Sequence, residues 1–342
     1  MSQRLSWPLL LRIAVALLPL SVWLGLAAAW QVAHPLSAGA ELGWPLLLAA
    51  AWWILLRLER SEDPILRGLI PGLHAAGVWL LALLAAWELS WRIGQTIVGV
   101  WPHLPWGLVP ALILAWLGRR HLAPAWPLAR HEQTYRVLAA IPLSLFAAAW
   151  TVAMCLFSDG DPRELPYLPL LNPLDLSVAL VFAAQARHWI ALGPQLRAGL
   201  TPADPRILPG CAAALLFLWL NAALIRALHY LAGTPLDFHG IAHSITVQAA
   251  LSVFWGLLAF TAMTYAARRI QRTVWLVGAG LMAVLLLKLF LVDTAGRGTL
   301  ARIVSFLIVG ALLLVTGYLS PLPPRRDAES APEQAAEGNP DT

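Results

Sequence analysis

The chain has 342 residues, 59% of them hydrophobic and 12% charged, with a mean hydropathy of +0.70 and a formal net charge of +5. So little polar surface cannot coat a water-soluble globule of this size, which excludes a soluble enzyme and makes lipid the solvent for most of the molecule. The sequence pI is about 9.8, but the basic residues are scattered over the ends of apolar stretches, so the charge does not indicate nucleic acid.

A bilayer core about 30 Å thick takes about 20 apolar residues per helix. Ten stretches meet that need: 8–31, 42–58, 69–90, 97–118, 136–157, 174–193, 207–231, 246–267, 274–292 and 303–319. The first has Pro19 inside it and lacks a small-residue cleavage site, so it reads as a retained helix rather than a removed signal peptide. The fourth contains Pro102, Pro105 and Pro110. Proline removes a helical hydrogen bond and kinks or ends a helix, so this stretch is either one kinked helix or a re-entrant segment followed by a helix. The loops are too short for a soluble domain. Residues 320–342, rich in Pro, Glu, Asp and Ala, read as a disordered polar tail after a transmembrane domain at 1–319.

Arginine resists translocation, and its distribution over short loops sets orientation. Alternate connections carry Arg4 and Arg12; Arg57, Arg60 and Arg67; Arg119, Arg120, Arg130 and Arg136; Arg187, Arg197 and Arg206; Arg268, Arg269 and Arg272; then Arg325 and Arg326. The opposite side has Arg92, Arg163, Arg297 and Arg302, and Arg226 and the single lysine, Lys288, lie within spans. The fold expected is therefore an all-α polytopic bundle of about ten membrane-spanning helices with both termini cytoplasmic, in a bacterial inner membrane.

Eighteen tryptophans include Trp7, Trp30, Trp44, Trp91, Trp101, Trp189 and Trp275 near span ends, where an amphipathic ring favours the interface. They read as an aromatic belt in preference to a sugar-binding surface. Cys155 and Cys211 both fall inside apolar spans, which leaves neither a disulfide framework nor a cysteine metal cluster.

Chemistry in such a protein belongs where polar groups enter the membrane, since they are expensive there unless paired or facing a cavity. Glu88 and Arg92, Asp175, Arg226 and His229, and Lys288 and Asp293 all fall on the non-cytoplasmic half. Glu88 and Arg92 are spaced for an intrahelical pair. The stems of Arg226 and Lys288 are long enough to snorkel to the interface. Turned inward, they would instead pair with Asp175 or Asp293 and form a cationic pocket for an anionic lipid head group or sugar phosphate. Asp237, His239 and His243 are a weak metal candidate: four-residue histidine spacing aligns two rings on a helix, but Gly233, Pro235 and Gly240 favour an irregular segment. His121, His131 and His188 read as interface residues. No cofactor is implied.

Residues 285–323, LLLKLFLVDTAGRGTLARIVSFLIVGALLLVTGYLSPLP, resemble the carboxyl-terminal end of the bacterial predicted membrane protein family called domain of unknown function 2339. LPLLNPLDL at 168–176, WLNAALIRALHYLAGTPLD at 219–237 and SITVQAALSVFWGLLAF at 244–260 agree with it. The resemblance runs from about residue 165 to 324 and more loosely upstream. It implies a multi-spanning inner-membrane protein that is a short member or a carboxyl-terminal part of the family pattern, with no established reaction to carry over. Within the matching motifs lie Asn172, Asp175, Asn221, Arg226, His229, Lys288, Asp293, Arg302 and Ser305, the candidates for binding a substrate or lipid.

Two functions fit. One is a non-catalytic envelope transport or scaffold component, with a polar cavity on the non-cytoplasmic side and with lipid, a lipid-linked sugar or other membrane proteins as partners. The other is an integral membrane transferase acting on lipid-linked or sugar substrates at the outer face, with Asp175 or Asp293 as general base and Arg226 with Lys288 binding phosphate.

Overall fold

A computed structural model describes residues 15–31, 34–36, 40–60, 62–119, 126–192 and 207–289, with isolated positions at 197, 310, 311, 314 and 317. Its contacts divide the chain into two units, Met1–Gly233 and Thr234–Thr342. Among the described residues every regular element is helical.

The first unit contains α1 (Leu17–Gln31), α2 (Ala40–Leu58), α3 (Pro64–Gly94), a 3₁₀ turn at Trp101–His103, α4 (Leu104–Leu117), a π-helical turn at Thr134–Ala139 running into α5 (Ala140–Phe157), α6 (Pro173–Ala191) and α7 (Ile207–Ala232). Local chemistry sets several starts. Asp63 accepts a hydrogen bond from the Ile65 amide at 2.9 Å and Pro64 occupies the first helical position, where its missing N–H costs nothing. Asn172 and Pro173 repeat the device at α6, with the Asp175 amide donating to Asn172 Oδ1 at 2.9 Å. In the fourth predicted stretch, Pro102 lies in the 3₁₀ turn, Pro105 in the first turn of α4 and Pro110 inside the helix. At about 1.5 Å per residue, the 14 residues of α4 extend only about 21 Å, so the prolines leave a turn followed by a short helix.

α3 packs against α1, α2 and α4, and α4 in turn packs against α5 and α6. One apolar core joins α1, α2 and α3 through Leu18, Leu55, Leu58, Leu73 and Leu80; a second joins α4, α5 and α6 through Leu104, Trp150, Leu174, Val178 and Val181. Gly107 lets α4 meet α5 closely: a Cβ there would lie 2.4 Å from the Trp150 ring. Trp150 Nε1 also donates to the His103 carbonyl at 3.0 Å.

The second unit contains α8 (Phe238–His243), α9 (Ile245–Arg269) and α10 (Arg272–Lys288). α9 ends at Ile270, which adopts φ +54° in the left-handed region, and α10 folds back along it around Gly278, Met263 and Ala259.

Nine of the ten predicted spans coincide at least in part with helices among the described residues; the start of the first, the end of the ninth, the tenth apart from four isolated positions, and the tail at 320–342 lie outside them. Among the described residues, five segments are long and apolar enough to cross a membrane: α2, α3, the continuous stretch Thr134–Phe157, α7 and α9. α1, α4 and α10 are shorter, and α6 carries Asp175, Gln185, Arg187 and His188. Trp23, Trp53, Leu112, Leu145, Val253 and Val277 are all more than half exposed. Apolar faces of this kind on nearly every helix are what a lipid-embedded bundle presents.

Candidate functional site

The polar cluster of the sequence motifs converges at the start of α6 and the last turns of α7. Asp175 is fully buried and Arg226 is 2% exposed. Arg226 Nη2 donates to Asp175 Oδ1 at 2.6 Å, Trp219 Nε1 donates to the same oxygen at 2.8 Å, and Asn172 Nδ2 donates to Oδ2 at 2.5 Å. Asp175 also sits in the first turn of α6, where the helix dipole favours a negative charge. Gly160, at φ +70°, presses on the arginine stem: a Cβ there would stand 2.9 Å from Arg226 Cδ. Arg226 Nε and Nη1 and the Tyr167 hydroxyl are all buried, the hydroxyl beside the guanidinium. Tyr167 stacks on Tyr230 with ring centroids 4.2 Å apart. Burial, and then the charge of Asp175, push the Tyr167 phenol up to about 12.

A second cluster gathers where α2 ends, α3 begins and the chain turns into the π-helical segment. His131 Nε2 lies 2.6 Å from Glu59 Oε1, and His74 Nε2 faces the same oxygen at 3.5 Å. Trp126 Nε1 donates to Glu59 Oε1 at 2.8 Å, and Arg130 Nη1 approaches Oε2 at 2.9 Å. Behind His74, its Nδ1 and the Tyr135 hydroxyl are 2.8 Å apart. Burial pushes the Glu59 carboxyl up, but the hydrogen bonds from Trp126 and His131 and the charges of His131 and Arg130 outweigh it and hold the group below its ordinary value.

The sequence profile of a family described as "predicted membrane protein (DUF2339)" matches residues 1–323. The chain belongs to the DUF2339 family. The match covers nearly the whole chain and so extends well upstream of the carboxyl-terminal motifs. Neither a curated protein nor a solved structure matches. Family membership and the apolar helices make this DUF2339 chain a multi-pass membrane protein.

Asn172, Asp175 and Arg226 meet directly in this family member. Asn221 Nδ2 donates to the Phe217 carbonyl one turn back at 2.7 Å, and the ring of His229 lies against Tyr230. Lys288 belongs to the second unit, where Nζ donates to the Gln248 carbonyl at 2.9 Å and to Ser252 Oγ at 2.6 Å. Asp293, Arg302 and Ser305 lie outside the described residues. Asp237 caps α8, its Oδ2 accepting from the Gly240 amide at 2.8 Å. His243 Nδ1 lies 2.8 Å from the His239 carbonyl, with the two rings 4.1 Å apart. Glu88 and Arg92 form the intrahelical pair at 2.5 Å, which His34 joins through Glu88 at 3.0 Å.

Sequence reasoning passed over Glu59 and His74 and placed His131 and His188 at the interface. His188 is instead buried, with Nε2 2.9 Å from the Arg136 carbonyl. The only advance signal for the Glu59 cluster was a histidine, His74, well inside an apolar stretch, where an imidazole needs a partner.

Proposed function

We propose that this DUF2339 protein is a non-catalytic scaffold component of the bacterial inner membrane, its helices pinned by buried polar ties. The observation that carries this reading is the state of Asp175. Both its oxygens are occupied by three donors, and the carboxylate has no exposed surface. A general base needs a lone pair turned toward a reachable proton. This arrangement therefore speaks against the transferase alternative and for a tie between α6 and α7. Burying an ion pair costs several kcal/mol per ion, which the pair's attraction and its extra hydrogen bonds offset; removing one partner leaves an uncompensated buried charge. On the arginine count the tie lies at the non-cytoplasmic end, where it would hold together the face available to envelope partners.

The test uses the full chain in detergent. Asp175→Asn and Arg226→Gln should each destabilise the protein by about 3–5 kcal/mol, and the double variant by clearly less than the sum, because one charge is no longer stranded. Thermal melting and the level of protein in the membrane report both effects. The scaffold reading fails if Asp175→Asn leaves melting and abundance unchanged yet abolishes the phenotype that distinguishes cells with the gene from cells without it.

A further inference from the structure

We propose that Glu59, His74 and His131 bind a divalent transition-metal ion of the zinc class, through Glu59 Oε1 and the Nε2 atoms of both histidines. The three ligand atoms lie within 4.8 Å of one another. Zinc–ligand bonds of about 2.0–2.2 Å in a tetrahedral site place neighbouring ligand atoms about 3.4 Å apart. The separations of 2.6 and 3.5 Å from Glu59 Oε1 lie on either side of that value, so the carboxylate oxygen already stands near ligating distance of both imidazoles.

A second observation points to an ion independently of this spacing. His74 Nε2 is buried and makes no well-formed hydrogen bond, the Glu59 oxygen it faces standing 3.5 Å away. Its orientation is nevertheless set from behind, since Tyr135 engages Nδ1 at 2.8 Å. An imidazole with one nitrogen anchored to a polar group and the other aimed at a carboxylate and a second imidazole is how metal-ligating histidines are held. Trp126 and Arg130 orient the carboxylate in the same outer role, and Arg130, 64% exposed, keeps its charge in water on the Oε2 side.

Two nitrogens and one oxygen suit zinc, cobalt or nickel and not magnesium or calcium, which take oxygen ligands. Three protein ligands leave a fourth position for water, as in exchangeable rather than closed sites. The ligands come from the end of α2, the third turn of α3 and the turn before α5, so binding would clip three segments together on the arginine-rich face.

The experiment takes the full-length protein in detergent, freed of any histidine tag and treated with chelator, and titrates it with Zn²⁺ and separately with Co²⁺. We expect one equivalent of either ion bound, a rise in melting temperature on zinc addition, and a visible Co²⁺ spectrum that zinc displaces. His131→Gln and Glu59→Gln should each weaken binding by tenfold or more, and Tyr135→Phe by about tenfold through loss of the outer anchor. His131 is at the edge of the cluster, so its variant keeps the test valid should His74→Gln fail to fold. The proposal is overturned if the wild type binds no ion, if His131→Gln binds as tightly as wild type, or if binding disappears in His239→Gln/His243→Gln instead.

Discussion

Arg226 is held by contacts that reach along its whole length. Its guanidinium is tied to Asp175 and its stem is pressed by Gly160, whose φ of +70° suits glycine better than any residue with a Cβ. Gly160→Ala combines left-handed strain of about 1–2 kcal/mol with a contact of 2.9 Å to a side chain that is not free to move. We expect a net loss of about 1–3 kcal/mol, read as a lower melting temperature. In the Arg226→Gln background the same change should cost less, because the shorter side chain can withdraw. Equal losses in both backgrounds would show that the backbone, not the arginine, carries the effect.

At the scale of elements, close helix approach depends on glycine only where a neighbour stands in the way. Gly107 of α4 faces the Trp150 ring of α5, and a Cβ would enter it at 2.4 Å. Gly107→Ala should therefore separate the two helices and destabilise the protein by about 1–3 kcal/mol. Gly77 of α3 has nothing within 4 Å of its would-be Cβ. Gly77→Ala should be neutral or stabilise by up to about 1 kcal/mol through helix propensity alone. A common detergent melting assay compares them, and similar effects of both would contradict the packing account. The tryptophans show the same dependence on neighbours: Trp44, Trp79, Trp101 and Trp150 each donate Nε1 to a backbone carbonyl, with separations of 2.9 to 3.1 Å, so several act as ties between segments as well as interface residues.

For the whole molecule, the arginine asymmetry predicts that the turn carrying Arg130 faces the cytoplasm and the segment carrying Leu165 faces outward. Single cysteines at these two positions, in a protein with Cys155 and Cys211 replaced, should be labelled from outside intact cells only at residue 165 by an impermeant thiol reagent. Labelling at 130 under those conditions would reverse the orientation, and labelling at both would break the alternation on which the crossing count depends. The Glu59 cluster and the Asp175 cluster both lie in the first unit, where α3, which carries His74, packs on α4 and α4 packs on α6, which carries Asp175.

Composition and apolar run length by themselves determined that the protein is an all-helical membrane bundle and where most helices fall, because burial in lipid is a property of each segment and its solvent. Proline placement marked the fourth stretch as interrupted without deciding between a kinked helix and a re-entrant segment followed by a helix; polarity within the apolar stretches singled out Asp175 and Arg226, and the family resemblance added Asn172. Tertiary structure alone decided the partners. Asp175 and Arg226 are 51 positions apart, and Glu59 and His131 are 72 apart. No local period relates such residues. They meet only because helix packing brings a buried charge or imidazole to the groups that can satisfy it, and the number of arrangements open to several apolar helices is far larger than the patterns their sequences can encode.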